Sequence, residues 1–131
     1  MPEFVLERSM KILNRSGKAL KNSKVLVLGV AYKQDIDDVR QSPALDVIDL
    51  LQKNGANISY NDPCIPNFSY KGNSYNSVVL TESILQQADL VILVTMHTTY
   101  DYEWLQEHSQ MIFDTKNAFK AVKKRGNIEK L

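Results

Sequence analysis

Between Lys24 and Val30 the chain reads KVLVLGV, a short, β-branched and nearly uninterrupted apolar run. A strand that is apolar on both faces must be covered on both, which is the situation of a parallel sheet held between two layers of helices. LVILV at Leu90–Val94 is a second run of this kind, and shorter strands are expected at Asn57–Tyr60 and Met111–Phe113. Helical patterns separate them. Ser42-Pro43 supplies a serine N-cap and a proline at the first helical position, ahead of a stripe at Ala44, Leu45, Ile48 and Leu51 that Gly55 stops. Thr81 opens a helix to about Gln87, and Asp101 opens another to about His108. Alternating strands and helices predict a three-layer α/β fold with a Rossmann-like parallel sheet and helices on both faces.

The flanks and the middle are less regular. From Pro2 to about Ser16 the pattern is helical, with Val5, Ser9, Ile12 and Leu13 on one face, widened by Leu6 and Met10, and Gly17 as its stop. That stripe calls for a partner, part of which is expected to be another subunit or a segment outside this chain. Ile65–Leu80 is polar and aromatic and has room for an extra strand or an excursion. The tail from Ala121 (AVKKRGNIEKL) reads as a frayed helix or a disordered end.

Bulk properties exclude several classes. The 131 residues suit one domain with one core, and a net charge of +1 offers no general attraction for nucleic acid or an anionic membrane. Lys123, Lys124 and Arg125 are too few for a nucleic-acid patch. The longest apolar run, Leu90–Val94, is far too short to cross a bilayer, and the first ten residues mix charge with apolar side chains, unlike a signal peptide. The single cysteine, Cys64, cannot form an internal disulfide, and a reducing cytoplasm is the simplest setting.

Ligands of open α/β sheets bind beyond the carboxyl ends of the strands. Beyond the first strand, Val30–Gln41 is twelve residues long, and connections of that length are often functional. Gly29 stands alone, so neither G-x-G-x-x-G nor G-x-x-x-x-G-K-[ST] is present. Tyr32 could stack on a base and Lys33 could meet a phosphate, although a solvated charged loop is the plainer reading of this segment alone. Beyond Val94, His97 could act as acid or base, but a histidine at a strand end is more often a hydrogen-bonded structural residue. Tyr100, Tyr102 and Trp104 are expected to pack the helix that follows. Beyond Phe113, Asp114 and Asn117 suit a turn, and Lys116 points where an anion could lie. Cys64 follows Asp62-Pro63 without a neighbouring base or cation, which argues against a nucleophile. No His, Cys or carboxylate set has metal-ligand spacing in the sequence.

Taken in order, G-V-A-Y-K-x-D-I-D-D-x-R-x-S-P-A, then Y-x-D-P, then VTMHTTYDYEWL and FDTKNAFK, the chain closely resembles the C-terminal domain of the UDP-glucose/GDP-mannose dehydrogenase family. D-P-x-I-P-x-F and T-x-H-x-x-Y-D-Y resemble the UDP-N-acetylhexosamine (GlcNAc/ManNAc) branch. The resemblance implies a parent enzyme that oxidises C6 of a UDP-sugar to the acid with NAD, for surface polysaccharide precursors. It also implies a division into a stub of a long central dimerisation helix (1–20), a UDP-sugar-binding Rossmann-like domain (21–120) and a basic tail (121–131). A homodimer through the N-terminal helix would follow.

Carried over from the family, Tyr32 and Lys33 match the pair that meets the nucleotide, and Arg40 matches its arginine. Lys116 stands where the family shows arginine, and Met96 where it shows an acid. No catalytic cysteine or NAD fingerprint matches, so no catalytic, cofactor-binding or metal residues are expected in this chain. It is then expected to be inactive alone, as a piece of a larger enzyme, a truncated gene product or part of a split protein. The competing expectation is a dimerisation or regulatory remnant with this fold and no useful ligand affinity.

Overall fold

The first helix, α1 (Pro2–Arg15), turns its predicted stripe inward: Val5, Ser9, Ile12 and Leu13 are all buried. The computed structural model in which this is seen describes residues 2–33, 35, 39 and 42–131. The partner that the stripe calls for lies within the chain, because α1 packs on α2 (Pro43–Lys53) and joins the core on one face of the sheet. Phe4 and Met10 are 44% and 46% exposed, so Met10, expected to widen the stripe, stays open at its edge.

Strands β1 (Lys24–Leu28), β2 (Asn57–Asn61), β5 (Leu90–Leu93), β6 (Ile112–Asp114) and β7 (Ile128–Lys130) form one sheet in the order β2-β1-β5-β6-β7. Every pairing in it is parallel, and β1 sets both inner registers, Val25 opposite Ile58 and opposite Leu90. The predicted two-sided burial has a direct structural cause. Val25, Val27, Leu90, Ile92 and Phe113 face α1 and α2. The alternate residues Leu26, Leu28, Val91, Leu93 and Ile112 face Leu85 of α3 (Glu82–Gln87), Leu105 of α4 (Tyr102–His108) and Phe119. This is the period-2 alternation of a strand with apolar residues on both sides. The helix caps are also those expected: Ser42 accepts from the Ala44 N–H, Thr81 from Ile84 and Asp101 from Trp104.

Of the two less regular regions, one fills in the sequence reading and the other departs from it. The irregular middle holds a hairpin of β3 (Asn67–Tyr70) and β4 (Asn73–Asn76). It turns on Lys71 and Gly72, both with positive φ, as a two-residue hairpin loop of the primed type requires. Phe68 packs between Tyr60 and Tyr75, and the Tyr70 and Tyr75 hydroxyls donate to Asp46 and Gln52 of α2.

The reading of 121–131 as a frayed helix or disordered end is corrected: Ile128–Lys130 adds the fifth strand. Its footing is polar. Asn127 donates through Nδ2 to the carbonyls of Gln106 and Ser109 at 3.0 and 2.8 Å, and the Ile112 N–H donates to the Asn127 carbonyl at 2.8 Å. Arg8 donates to the Lys130 carbonyl at 2.9 Å, and Arg15 pairs with Glu129, tying the strand to α1. Among the described residues no helix is long and apolar enough to cross a membrane.

Candidate functional site at the topological switch

The strand order creates the site. From β1 the chain continues to β2 on one side, whereas from β5 it continues to β6 on the other. The connections after β1 and β5 therefore diverge and leave a crevice at the carboxyl edge, where open α/β sheets bind ligands. Gly29 stands at that point with φ +85°, and a Cβ there would lie 2.4 Å from the Thr95 carbonyl oxygen and 2.5 Å from its Cβ. Glycine is thus required so that the two diverging connections can touch. The same contact argues against a dinucleotide cradle, because the space that a pyrophosphate would need at Gly29 is filled by Thr95.

Above this contact lies a cavity of about 360 Å³, lined by Tyr32 and Lys33 from the first loop, Pro43 of α2, Val94, Thr95 and Met96 after β5, and Lys116 after β6. A smaller cavity of about 160 Å³, between Pro2, Val5, Val47 and Thr115, shares Pro43, Val94 and Lys116 with it. Three of the four predicted ligand residues, Tyr32, Lys33 and Lys116, therefore line one pocket. The fourth, Arg40, lies outside the described residues.

Other hollows lack this chemistry. A space of about 500 Å³ near α2 and the hairpin is lined by Asp49, Lys53 and Lys71, whose charges pair with one another. A cavity of about 300 Å³ at the amino ends of β1 and β2 has no aromatic side chain.

Each wall is held by a local device. Lys33 Nζ lies 5.7 Å from the centre of the Tyr32 ring. The Ala31 carbonyl accepts from the Thr95 hydroxyl at 2.8 Å. Beyond β6, the buried Asp114 carboxylate accepts from the N–H groups of Lys116, Ala118 and Phe119 at 3.0, 3.1 and 2.9 Å, with Asn117 in the left-handed region at φ 58°. The predicted turn residues Asp114 and Asn117 thus shape the turn that presents Lys116.

His97 is fully buried behind the pocket. Its Nε2 lies 2.9 Å from Asp62 Oδ2, and its Nδ1 accepts the Asp35 N–H at 2.8 Å. Asp62 Oδ2 also accepts the N–H groups of Val30 and Ala31, while Oδ1 accepts that of Cys64. The geometry supports the structural reading of His97, since both ring nitrogens are committed. Tyr102 donates to the His97 carbonyl at 2.6 Å and Tyr100 to the Asn61 carbonyl at 2.9 Å, so these two rings also brace the strand ends. Burial pushes the Tyr102 phenol up to about 12 and that of Tyr100 well above its ordinary value.

The expectation that no base adjoins Cys64 does not survive folding. Ligand atoms of Asp62, Cys64 and His97 lie within 4.8 Å of one another. Both ring nitrogens of His97 are nevertheless committed to hydrogen bonds and leave no imidazole lone pair for a metal or a thiol, so the cluster works as a hydrogen-bonded hub. Sequence reasoning missed it because Asp62 and His97 are 35 residues apart. The available signal was that both follow carboxyl ends of parallel strands, β2 and β5, that flank β1.

With this geometry in view, comparison with known proteins is decisive. Residues 26–121 match the family model described as the UDP-binding domain of the UDP-glucose/GDP-mannose dehydrogenase family. The chain belongs to that family. Among its relatives, a UDP-N-acetyl-D-mannosamine dehydrogenase of Methanococcus aeolicus is 30% identical over 125 residues, covering 89% of this chain and 27% of the relative. A protein of the same name from Campylobacter jejuni is 33% identical over 102 residues, covering 76% and 24%. Among solved structures, the UDP-N-acetyl-mannosamine dehydrogenase of Staphylococcus aureus superposes with a TM-score of 0.72 at 26% identity, over 99% of this chain and 30% of that one. The Pyrococcus horikoshii UDP-D-ManNAc dehydrogenase gives a TM-score of 0.79 at 21% identity over 99% and 30%, a likeness of fold. The chain therefore spans about a quarter to a third of the length of these proteins.

Proposed function

We propose that this chain is the uridine-nucleotide-binding portion of an NAD-dependent UDP-N-acetylhexosamine 6-dehydrogenase, and that the switch-point pocket holds the UDP moiety. The observation that carries the reading is the convergence of Tyr32, Lys33 and Lys116 on one cavity in a chain of this family. In this role Tyr32 stacks on the base or ribose, while Lys33 and Lys116 neutralise the diphosphate. Lys116 in place of arginine keeps the charge and gives up the bidentate fork, which lowers the contribution of that contact. NAD and the cysteine that carries the oxidised sugar belong to segments outside these residues. This chain's part in the oxidation is then to fix the nucleotide end of the substrate, so that the sugar is presented at a constant distance and orientation. Phe4 and Met10 are the exposed large apolar side chains of α1 that a second copy would cover in a homodimer.

The test is calorimetric titration with UDP, UDP-N-acetylglucosamine, GDP and NAD, on the wild-type chain and on Lys33→Ala. Removing a charge-assisted hydrogen bond costs about 1.5–3 kcal/mol, which is roughly ten- to a hundredfold in the UDP dissociation constant. Unchanged UDP affinity in the folded variant would sink the assignment. Silence with every nucleotide would favour a dimerisation or regulatory remnant.

A further inference from the structure

We propose that His97, oriented by Asp62, is a positioning residue that sets the loop carrying Tyr32 and Lys33. The nucleotide readout below rests on the function proposed above; the loop geometry does not. The loop is pinned on both sides of those two residues. Before them, the Val30 and Ala31 N–H groups donate to Asp62 Oδ2 at 2.8 and 2.9 Å. After them, the Asp35 N–H donates to His97 Nδ1 at 2.8 Å. Asp35 sits at φ 62°, a conformation unusual for a residue with a side chain, and is held there from its other end as well. Its carboxylate accepts from the Thr98 N–H at 3.0 Å and from the Thr98 hydroxyl. Those bonds, the backbone N–H above all, hold its pKa below the usual carboxylate range.

One tautomer alone satisfies this circuit. Asp62 Oδ2 is an acceptor, so the ring must carry its proton on Nε2. Nδ1 is then left with the lone pair that the Asp35 N–H needs. The buried carboxylate at the end of β2 thereby dictates which face of the imidazole accepts at the loop, across 35 residues of sequence. The ring is fully buried and is not among the side chains that line the pocket; it bears on the loop through Asp62 and Asp35.

Two isosteric variants separate this role from simple packing. His97→Asn places an amide oxygen at the same number of bonds from Cβ as Nδ1, keeping the acceptor for Asp35 and losing Asp62. His97→Gln places its amide nitrogen where Nε2 was, keeping the donor to Asp62 and losing Asp35. The readouts are hydrogen exchange of the Asp35 amide, UDP affinity, thermal midpoint and, in the wild type, the ¹⁵N shifts of the His97 ring.

The expected result is a neutral Nε2–H ring in the wild type, and a protected Asp35 amide with near wild-type affinity in His97→Asn. His97→Gln is expected to lose Asp35 protection and about tenfold in UDP affinity, the scale of one lost hydrogen bond. A wild-type ring protonated on Nδ1 overturns the proposal without any variant. So does a His97→Gln protein whose Asp35 amide stays protected, or a pair of variants whose affinities fall equally with their midpoints. If the wild type binds no UDP, the functional reading fails, while the ring shifts and the Asp35 exchange still decide this one.

Discussion

Replacing Gly29 with alanine tests the contact on which the switch point depends. At φ +85° an L-residue carries the left-handed penalty of about 1–2 kcal/mol. The added methyl would also lie 2.4 Å from the Thr95 carbonyl oxygen and 2.8 Å from the Thr95 nitrogen. Those are backbone atoms of a chain that leaves the buried strand β5, so they cannot swing aside as a lysine tip would. Forcing one methylene-sized group into such a site costs typically a further 1–3 kcal/mol. The expected loss is therefore about 2–5 kcal/mol, most of the stability of an ordinary domain at the upper end. Urea unfolding followed by circular dichroism measures it as a lower midpoint at unchanged slope. Because relief requires the β1 and β5 connections to separate, the folded fraction should also bind UDP more weakly. A cost below about 1 kcal/mol would refute the argument, since the left-handed penalty alone reaches that value.

Two other outcomes follow from the described geometry. Asp114→Ala removes the acceptor of three N–H groups, one of them buried, and should cost about 2–4 kcal/mol, with weaker UDP binding as Lys116 loses its turn; a loss under 1 kcal/mol in urea unfolding would count against the role given to that carboxylate. Burial holds the Tyr60 and Tyr102 phenols at about 12 against an ordinary value of 10.0. In that window the unfolded chain has released protons that the native chain still binds, so stability should be intact below pH 10, fall as the pH rises and level off only past about 12. A thermal midpoint that is flat from about pH 10 to about 11.5, roughly the lower part of this window, would contradict it.

What could be read from the sequence follows from how each element is stabilised. β1 and β5 owe their state to side chains apolar on both faces, and so they announce themselves in KVLVL and LVIL. β7 reads IEK, with one apolar residue, and it is a strand because β6 offers a free backbone edge and Asn127 and Arg8 hold it there. No local pattern records such long-range backbone bonds. The hairpin was similarly hidden, because its tyrosines dock on α2 through hydroxyl groups and its strands carry asparagine and serine. For α1 the stripe was legible while its partner was not, since periodicity shows that a face is covered and says nothing of what covers it. The site divides in the same way. Tyr32, Lys33 and Lys116 stood out by residue type beyond the strand ends and were tied to a nucleotide through resemblance, whereas the Asp62–His97 hub exists only after β2, β1 and β5 align their carboxyl ends.

The resting position of Lys33 bears on how such a pocket would select its ligand. Its ammonium stands 5.7 Å from the Tyr32 ring centre, over one face of the ring. At exposed sites a contact of this kind contributes about 0.5–1 kcal/mol. A base stacking on that same face would have to displace the cation and gain only its stacking, about 1–3 kcal/mol, so the net attraction is small. An anion alone would draw Lys33 away from the ring and leave that face bare. A nucleoside diphosphate compensates both losses at once, because the base replaces the ammonium on Tyr32 while the phosphate receives it. On the proposed function, UDP should therefore bind more tightly than the sum of uridine and pyrophosphate measured separately, beyond the usual gain from linking two fragments. Tyr32→Ala should abolish that excess while leaving the pyrophosphate contact of Lys33 in place. Equal excess in the wild type and in Tyr32→Ala would mean that the aromatic ring and the cation act independently.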